Sequence, residues 1–228
     1  LVNYYIPFDN FIIFAFFVLI GVIFINAVNF IDIKDGLVTS FSITAISALI
    51  NFRFESDPKF LLFSTFFSFS LISFYWLNSE PAKTYQGDGG AYSLALILYS
   101  FALSFFDYSY QSSYSISNLG ERTQIPLFSP FIISLSYLFI YLPVVFEFIF
   151  VVLIRLKKGL NPLRGSNDHI AIRLINRNKS TFYISVLFSL PAILSLIYSS
   201  IYFGSINIFS LINISLLAIV LSIRYLTS

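Results

Sequence analysis

The sequence contains no cysteine, no methionine and a single histidine, His169. The missing cysteines exclude disulfides, thiolate metal sites and cysteine nucleophiles, and one imidazole excludes a multi-histidine metal centre. Charge is scarce too: charged residues make up 11% of the 228, against roughly 25% in an ordinary soluble domain. A soluble globular domain is thereby excluded. A net charge of +2 is too small to argue for a nucleic-acid partner, and none is expected. Lacking methionine and opening Leu1-Val2-Asn3, the chain is expected to be the carboxy-terminal portion of a longer protein.

What fills the sequence is apolar: 57% hydrophobic and 20% aromatic residues. Apolar stretches of the length that crosses ~30 Å of hydrocarbon fall near Phe11 to Ile31, Leu37 to Ile50, Phe60 to Leu77, Gly90 to Phe106, Phe131 to Ile154, Phe182 to Tyr202 and Ile206 to Ile223. The expected fold is all-α: a polytopic membrane bundle of about seven transmembrane helices, forming one domain over residues 1–228. The second stretch is short for a span. Its Thr39, Ser40, Ser42, Thr44 and Ser47 can bond to their own helix or across to neighbours, which suits a position buried in protein.

With seven spans, alternate loops face opposite sides. Lys34, Lys83, Arg155, Lys157, Lys158, Arg164, Arg173, Arg177, Lys179 and Arg224 fall on one side, and Arg53, Lys59 and Arg122 on the other. The positive-inside bias puts the first group in the cytoplasm. Three segments on that side hold most of the unusual polar residues. The first runs Asn26-Ala-Val-Asn29-Phe-Ile-Asp32-Ile-Lys-Asp35-Gly36-Leu37. Its polar residues recur every third position, so on a helix they would sweep half the circumference and line a groove; equally, Asp and Gly are turn formers.

The second segment is Asn78-Ser-Glu-Pro-Ala-Lys83-Thr-Tyr85-Gln-Gly87-Asp88-Gly-Gly90. Glycines beside a carboxylate leave backbone N–H groups open to phosphate oxygens, while Asp88 can hold a divalent cation shared with the same phosphate. The third runs from Arg155 through Arg164 and Asp168-His169 to Arg173-Leu174. Its basic residues match an anionic ligand, but match anionic lipid headgroups equally well. Glu147, inside the fifth stretch, should face the bundle interior, because an ionisable group is costly in lipid.

In their order, Asn26-x-x-Asn29-x-x-Asp32-x-x-Asp35-Gly36-Leu37, then Pro81-Ala82-Lys83-x-Tyr85-x-Gly87-Asp88-x-Gly90, then Asp168-His169-x-x-x-Arg173-Leu174, these segments resemble the polyprenyl-phosphate N-acetylhexosamine-1-phosphate transferase superfamily. The resemblance implies an all-helical bundle in the cell's inner (plasma) membrane with its active site on the cytoplasmic face. It implies Mg²⁺-dependent transfer, with Mn²⁺ as an alternative ion, of a sugar 1-phosphate from a UDP-sugar to undecaprenyl or another polyprenyl phosphate. UMP would be released, and the product would feed cell-envelope polysaccharide or peptidoglycan synthesis. The implied partners are the UDP-sugar, the polyprenyl phosphate and membrane lipid, with a homodimer left open.

By the same resemblance, Asp88, His169 and Asp35 are the catalytic candidates, with Asp88 also the metal ligand. Asn29, Asp32, Asn78, Lys83, Tyr85, Gly87, Arg164 and Asp168 are the substrate-binding candidates. The sequence departs from the family at Ile33, where a glycine is usual, and at Ile172, where a second histidine is usual. The family's upstream Asp-Asp motif is expected in a region that precedes this chain. Two rival readings are a transporter or channel lined by intramembrane polar residues, and a catalytically impaired relative that binds nucleotide or lipid phosphate.

Overall fold

The computed structural model describes residues 11–53, 57–118, 129–161, 168–203 and 206–227. They form eight helices: α1 (Phe11–Ile31), α2 (Leu37–Arg53), α3 (Pro58–Asn78), α4 (Gly87–Asn118), α5 (Ser129–Lys157), α6 (Ile170–Ile175), α7 (Thr181–Phe203) and α8 (Ile208–Thr227). Among the described residues there is no strand, as the apolar stretches predict. Helix α4 runs on to Asn118, well past the expected end at Phe106.

Four of these helices, α1, α3, α5 and α7, are long and apolar enough to cross a membrane. Helices α2 and α8 are apolar but shorter. The expected seven stretches correspond to seven long helices among the described residues, of which these four meet the length and apolarity of a span. Every residue from Gly36 to Phe52 is buried, and α2 packs against α1, α3, α4, α5, α7 and α8. Enclosed by protein, it need not meet the length and apolarity that lipid demands.

The hydroxyls of α2 behave as its sequence predicts. Ser42 and Ser47 donate to the carbonyls of Val38 and Ile43, each at 2.7 Å, Thr44 to Phe41 at 2.8 Å and Ser40 to Leu37 at 3.0 Å. Small, self-satisfied side chains let neighbouring helices approach closely where lipid gives no hydrophobic drive. Outward, α1 presents Phe11, Ile12, Phe16 and Leu19, an apolar band fit for lipid.

Local sequence sets the helix ends that build the site. At the start of α3, the Asp57 carboxylate accepts from the N–H groups of Lys59 and Phe60 at 3.1 and 3.0 Å, with Pro58 in the first position, where its missing N–H costs nothing. At its end, Leu77 O accepts from Lys83 N and Thr84 N, and Tyr75 O from Ser79 N. Carbonyls that a helix terminus would orphan are thereby satisfied. Between α1 and α2 the chain turns through Gly36, at φ +74°, where an added Cβ would lie 2.6 Å from a Tyr75 ring carbon and 3.2 Å from Ser79 Cα. Only glycine fits both constraints.

Candidate active site

The first polar segment does not continue as a helix. Helix α1 stops at Ile31, and two tight turns follow, closed by Asp32 N to Asn29 O at 3.2 Å and Leu37 N to Lys34 O at 3.1 Å. The single helical groove expected from the every-third spacing is thus replaced by a loop, because the Asp and Gly residues act as turn formers. Ile33, in the position usual for glycine, is not among the described residues with positive φ, so this loop adopts its path without one there.

The turns clasp the second segment. Asp35 Oδ2 accepts from the backbone N–H of Ala82 at 3.3 Å, and Lys34 pairs with Glu80 at 3.4 Å. Asn78 is buried, with its amide donating to Thr84 O at 3.1 Å and its oxygen accepting from Thr39 at 3.0 Å. Its visible bonds hold the loop onto α2 and α3. Beyond it, Lys83, Tyr85, Gly87 and Asp88 are exposed, Tyr85 by 73%. Gly87 opens α4 at φ +64°, and Asp88 follows in the helix's first turn, where a carboxylate is favoured by the helix dipole.

Asp32 lies between the two segments. Burial first, then the negative charges of Asp88 and Asp35, raise its pKa from 3.8 to about 6. Three carboxylates thus share one electrostatic neighbourhood. Among the described residues they do not close into a three-ligand metal cluster. The donor set fits a Mg²⁺ that takes one or two carboxylates and fills its other positions with water and substrate phosphates, not an all-protein cage. Asn29 donates to the hydroxyl of Tyr92 at 3.3 Å, while its own Oδ1 is buried without a partner.

The third segment meets the first through aromatic contact. Phe30, next to Asn29, packs its ring 5.7 Å from the His169 imidazole and 5.3 Å from Phe148 of α5. His169 is buried, and its Nδ1 lies 3.2 Å from Glu147 Oε1, which also accepts from Ile170 N at 2.8 Å. Glu147 faces the interior as expected, fully buried. Its role, undefined by its place in α5, is to hold the imidazole and the start of α6. Asp168 pairs with Lys158, and with Arg173 at 3.4 Å. The hydrogen bond from Lys158, aided by the nearby Lys158, Arg173 and Arg155 charges, outweighs burial and holds the Asp168 carboxyl below its ordinary pKa. Arg164 lies outside the described residues.

Asn29, Asp32, Asp35, Asn78, Lys83, Tyr85, Gly87, Asp88, Asp168 and His169 all belong to connected segments at one end of the bundle. Sequence reasoning overlooked Tyr92, although it stands four residues after Asp88, on the same face of α4. It also left Arg155 undistinguished among the basic residues.

A profile described as glycosyl transferase family 4 matches residues 2–106, which carry the first two motifs. Residues 2–106 are thus similar to that family. Three similar proteins share the name phospho-N-acetylmuramoyl-pentapeptide-transferase. That of Wolbachia pipientis wMel is 38% identical over 87 residues, 37% of this chain and 26% of the relative. That of Dictyoglomus turgidum is 32% identical over 89 residues, 38% and 29%, and that of Lactobacillus helveticus 38% over 99 residues, 40% and 30%. The chain therefore spans less than a third of the length of these relatives. The third motif lies beyond the matched residues, and the contact of Phe30 with His169 joins it to the first.

Proposed function

We propose that the chain forms part of a membrane transferase that moves N-acetylhexosamine 1-phosphate from a UDP-sugar to a polyprenyl phosphate, with release of UMP, in cell-envelope polymer synthesis. One observation carries this: the segment similar to family 4 and the His169 loop meet at one end of an apolar helical bundle, through Phe30 and His169. A lipid substrate can reach that boundary laterally while a nucleotide sugar arrives from water.

In the transfer, an oxygen of the lipid phosphate attacks the β-phosphorus of the UDP-sugar. The bond from that phosphorus to the bridging oxygen breaks, and UMP leaves. Such a reaction mainly needs in-line positioning and neutralisation of charge. Asp88 would hold Mg²⁺, which supplies that neutralisation when bound. The exposed Tyr85 ring stacks on the uracil, Lys83 adds a cation for phosphate, and Asp35 fixes the Pro81-Ala82-Lys83 loop. Glu147 holds His169 by Nδ1, so that its other ring nitrogen is presented to the diphosphate. Asn29 contributes its unbonded buried oxygen to the nucleotide pocket.

The test uses the full-length gene product in nanodiscs with UDP-N-acetylhexosamine, undecaprenyl phosphate and Mg²⁺, followed by chromatography for UMP. UMP formation is expected, and Asp88→Asn should lower its rate by about 10²-fold or more, the scale on which electrostatic stabilisers of a transition state act. Well-folded protein that releases no UMP from any common UDP-sugar sinks the proposal. Flux of substrate across liposomes without conversion would instead favour a transporter.

A further inference from the structure

The guanidinium of Arg155 stands apart from the other basic groups. Lys158 and Arg173 are exposed and engaged with Asp168. Arg155 is 4% exposed, and its Nε and Nη1 are buried without any hydrogen-bond partner. A buried charge with unmade bonds is among the most unfavourable arrangements in a protein, unless an anion completes it. Its place is also well fixed. Leu160 N donates to Arg155 O at 2.9 Å, and the chain leaves α5 through Gly159 at φ +68°, a common glycine-closed helix end.

Glu147, Val151 and Arg155 are spaced i, i+4, i+8 and are all buried, so they form one face of α5. Eight residues of helix rise about 12 Å, which sets the acid that grips His169 two turns from the guanidinium. Asp168, whose carboxyl feels the Arg155 charge, is itself bonded to Lys158 and Arg173. This face therefore ends in a guanidinium with two buried donors unbonded.

We infer that Arg155 is a phosphate-binding residue, whose planar fork receives a phosphate oxyanion beside the His169 loop. Arginine suits this because its donors match two oxygens of one phosphate. The oxyanion belongs either to the nucleotide diphosphate or to the lipid phosphate. The inference rests on the proposed transferase reading and adds a residue to its site.

The test compares the full-length protein with Arg155→Met and Arg155→Lys in nanodiscs. Binding of UDP and of a short-chain polyprenyl phosphate is measured separately, alongside thermal unfolding without ligand. Arg155→Met, which removes an unpaired buried charge at similar volume, should leave the unliganded midpoint unchanged or higher. It should weaken one probe by about ten- to hundredfold, the worth of a charged hydrogen bond, and Arg155→Lys should weaken it less. Loss confined to UDP assigns the nucleotide, and loss confined to the polyprenyl phosphate assigns the lipid. Unchanged binding of both probes in Arg155→Met, with UMP release intact, overturns this inference alone. Variants that both unfold at lower temperature than the parent make Arg155 a structural residue and overturn it too. Unmodified protein that binds neither probe overturns the transferase reading together with it.

Discussion

Asp32 shows how one residue records its neighbourhood. Its pKa of about 6 lies above its ordinary 3.8 because burial and the charges of Asp88 and Asp35 disfavour the carboxylate. For a group raised on folding, the stabilising contribution is complete below the unfolded pKa and is lost as pH rises through the folded one. Protein stability should therefore fall between about pH 4 and 6 through Asp32. Asp32→Asn removes that dependence. Thermal midpoints measured from pH 4 to 8 should coincide for the two proteins at the acid end, with the variant higher above pH 6. A difference that does not change with pH would contradict the assignment. His169 and Glu147 make the complementary case. Each stands out alone, one as the single histidine and the other as an acid inside an apolar stretch, but their 3.2 Å contact spans a separation that spacing rules do not reach.

Among the elements, α2 and α8 show how polar groups are managed inside an apolar bundle. The hydroxyls of Ser40, Ser42, Thr44 and Ser47 in α2 are spent on its own carbonyls, and Ser210 of α8 donates to Ser47 O at 2.8 Å. At the far end of α2, Asn51 donates to Ser199 at 2.6 Å and accepts from Asn207 N at 2.7 Å, tying α2, α7 and the start of α8 together. Asn213 is the exception. It is fully buried on α8, which packs against α2 and α3, and neither atom of its amide is bonded. An unmade buried amide costs about 1–3 kcal/mol, so Asn213→Leu should raise the thermal midpoint by a corresponding amount. A lowered midpoint would show that the amide is satisfied after all.

For the whole molecule, the contacts define two ends. The Asp35–Ala82 bond, the Lys34–Glu80 pair and the Phe30–His169 packing gather the candidate site at one end, while the Asn51 cluster marks the other. The partition of basic residues by loop parity puts Lys157 and Lys59 on opposite sides of the membrane. The absence of cysteine makes a clean test available. Single Lys157→Cys and Lys59→Cys variants should react with an impermeant maleimide from opposite faces, Lys157→Cys only from the cytoplasmic one. Labelling of both from one face would contradict the orientation.

Much of this was legible in the sequence: the apolar stretches marked the seven long helices, with α4 longer than expected, and the hydroxyls of residues 39–47 marked α2 as interior. The motifs of residues 26–37 and 78–90 lie in the segment that is similar to family 4. These signals are local, since they depend on hydrophobic run length, on side chains that can bond within one turn, and on short spacings. Other features were decided by tertiary structure. The every-third polar pattern became two turns at the end of α1. Asn78, expected at the substrate, is buried with bonds to Thr39 and Thr84. Arg155, one basic residue among several, is the buried guanidinium with donors unmade. Burial and partnership arise only when segments far apart in the chain meet, so no local pattern reports them. In an apolar bundle, where burying a charge is costly, they also decide which of the scarce charges is left with hydrogen bonds unmade.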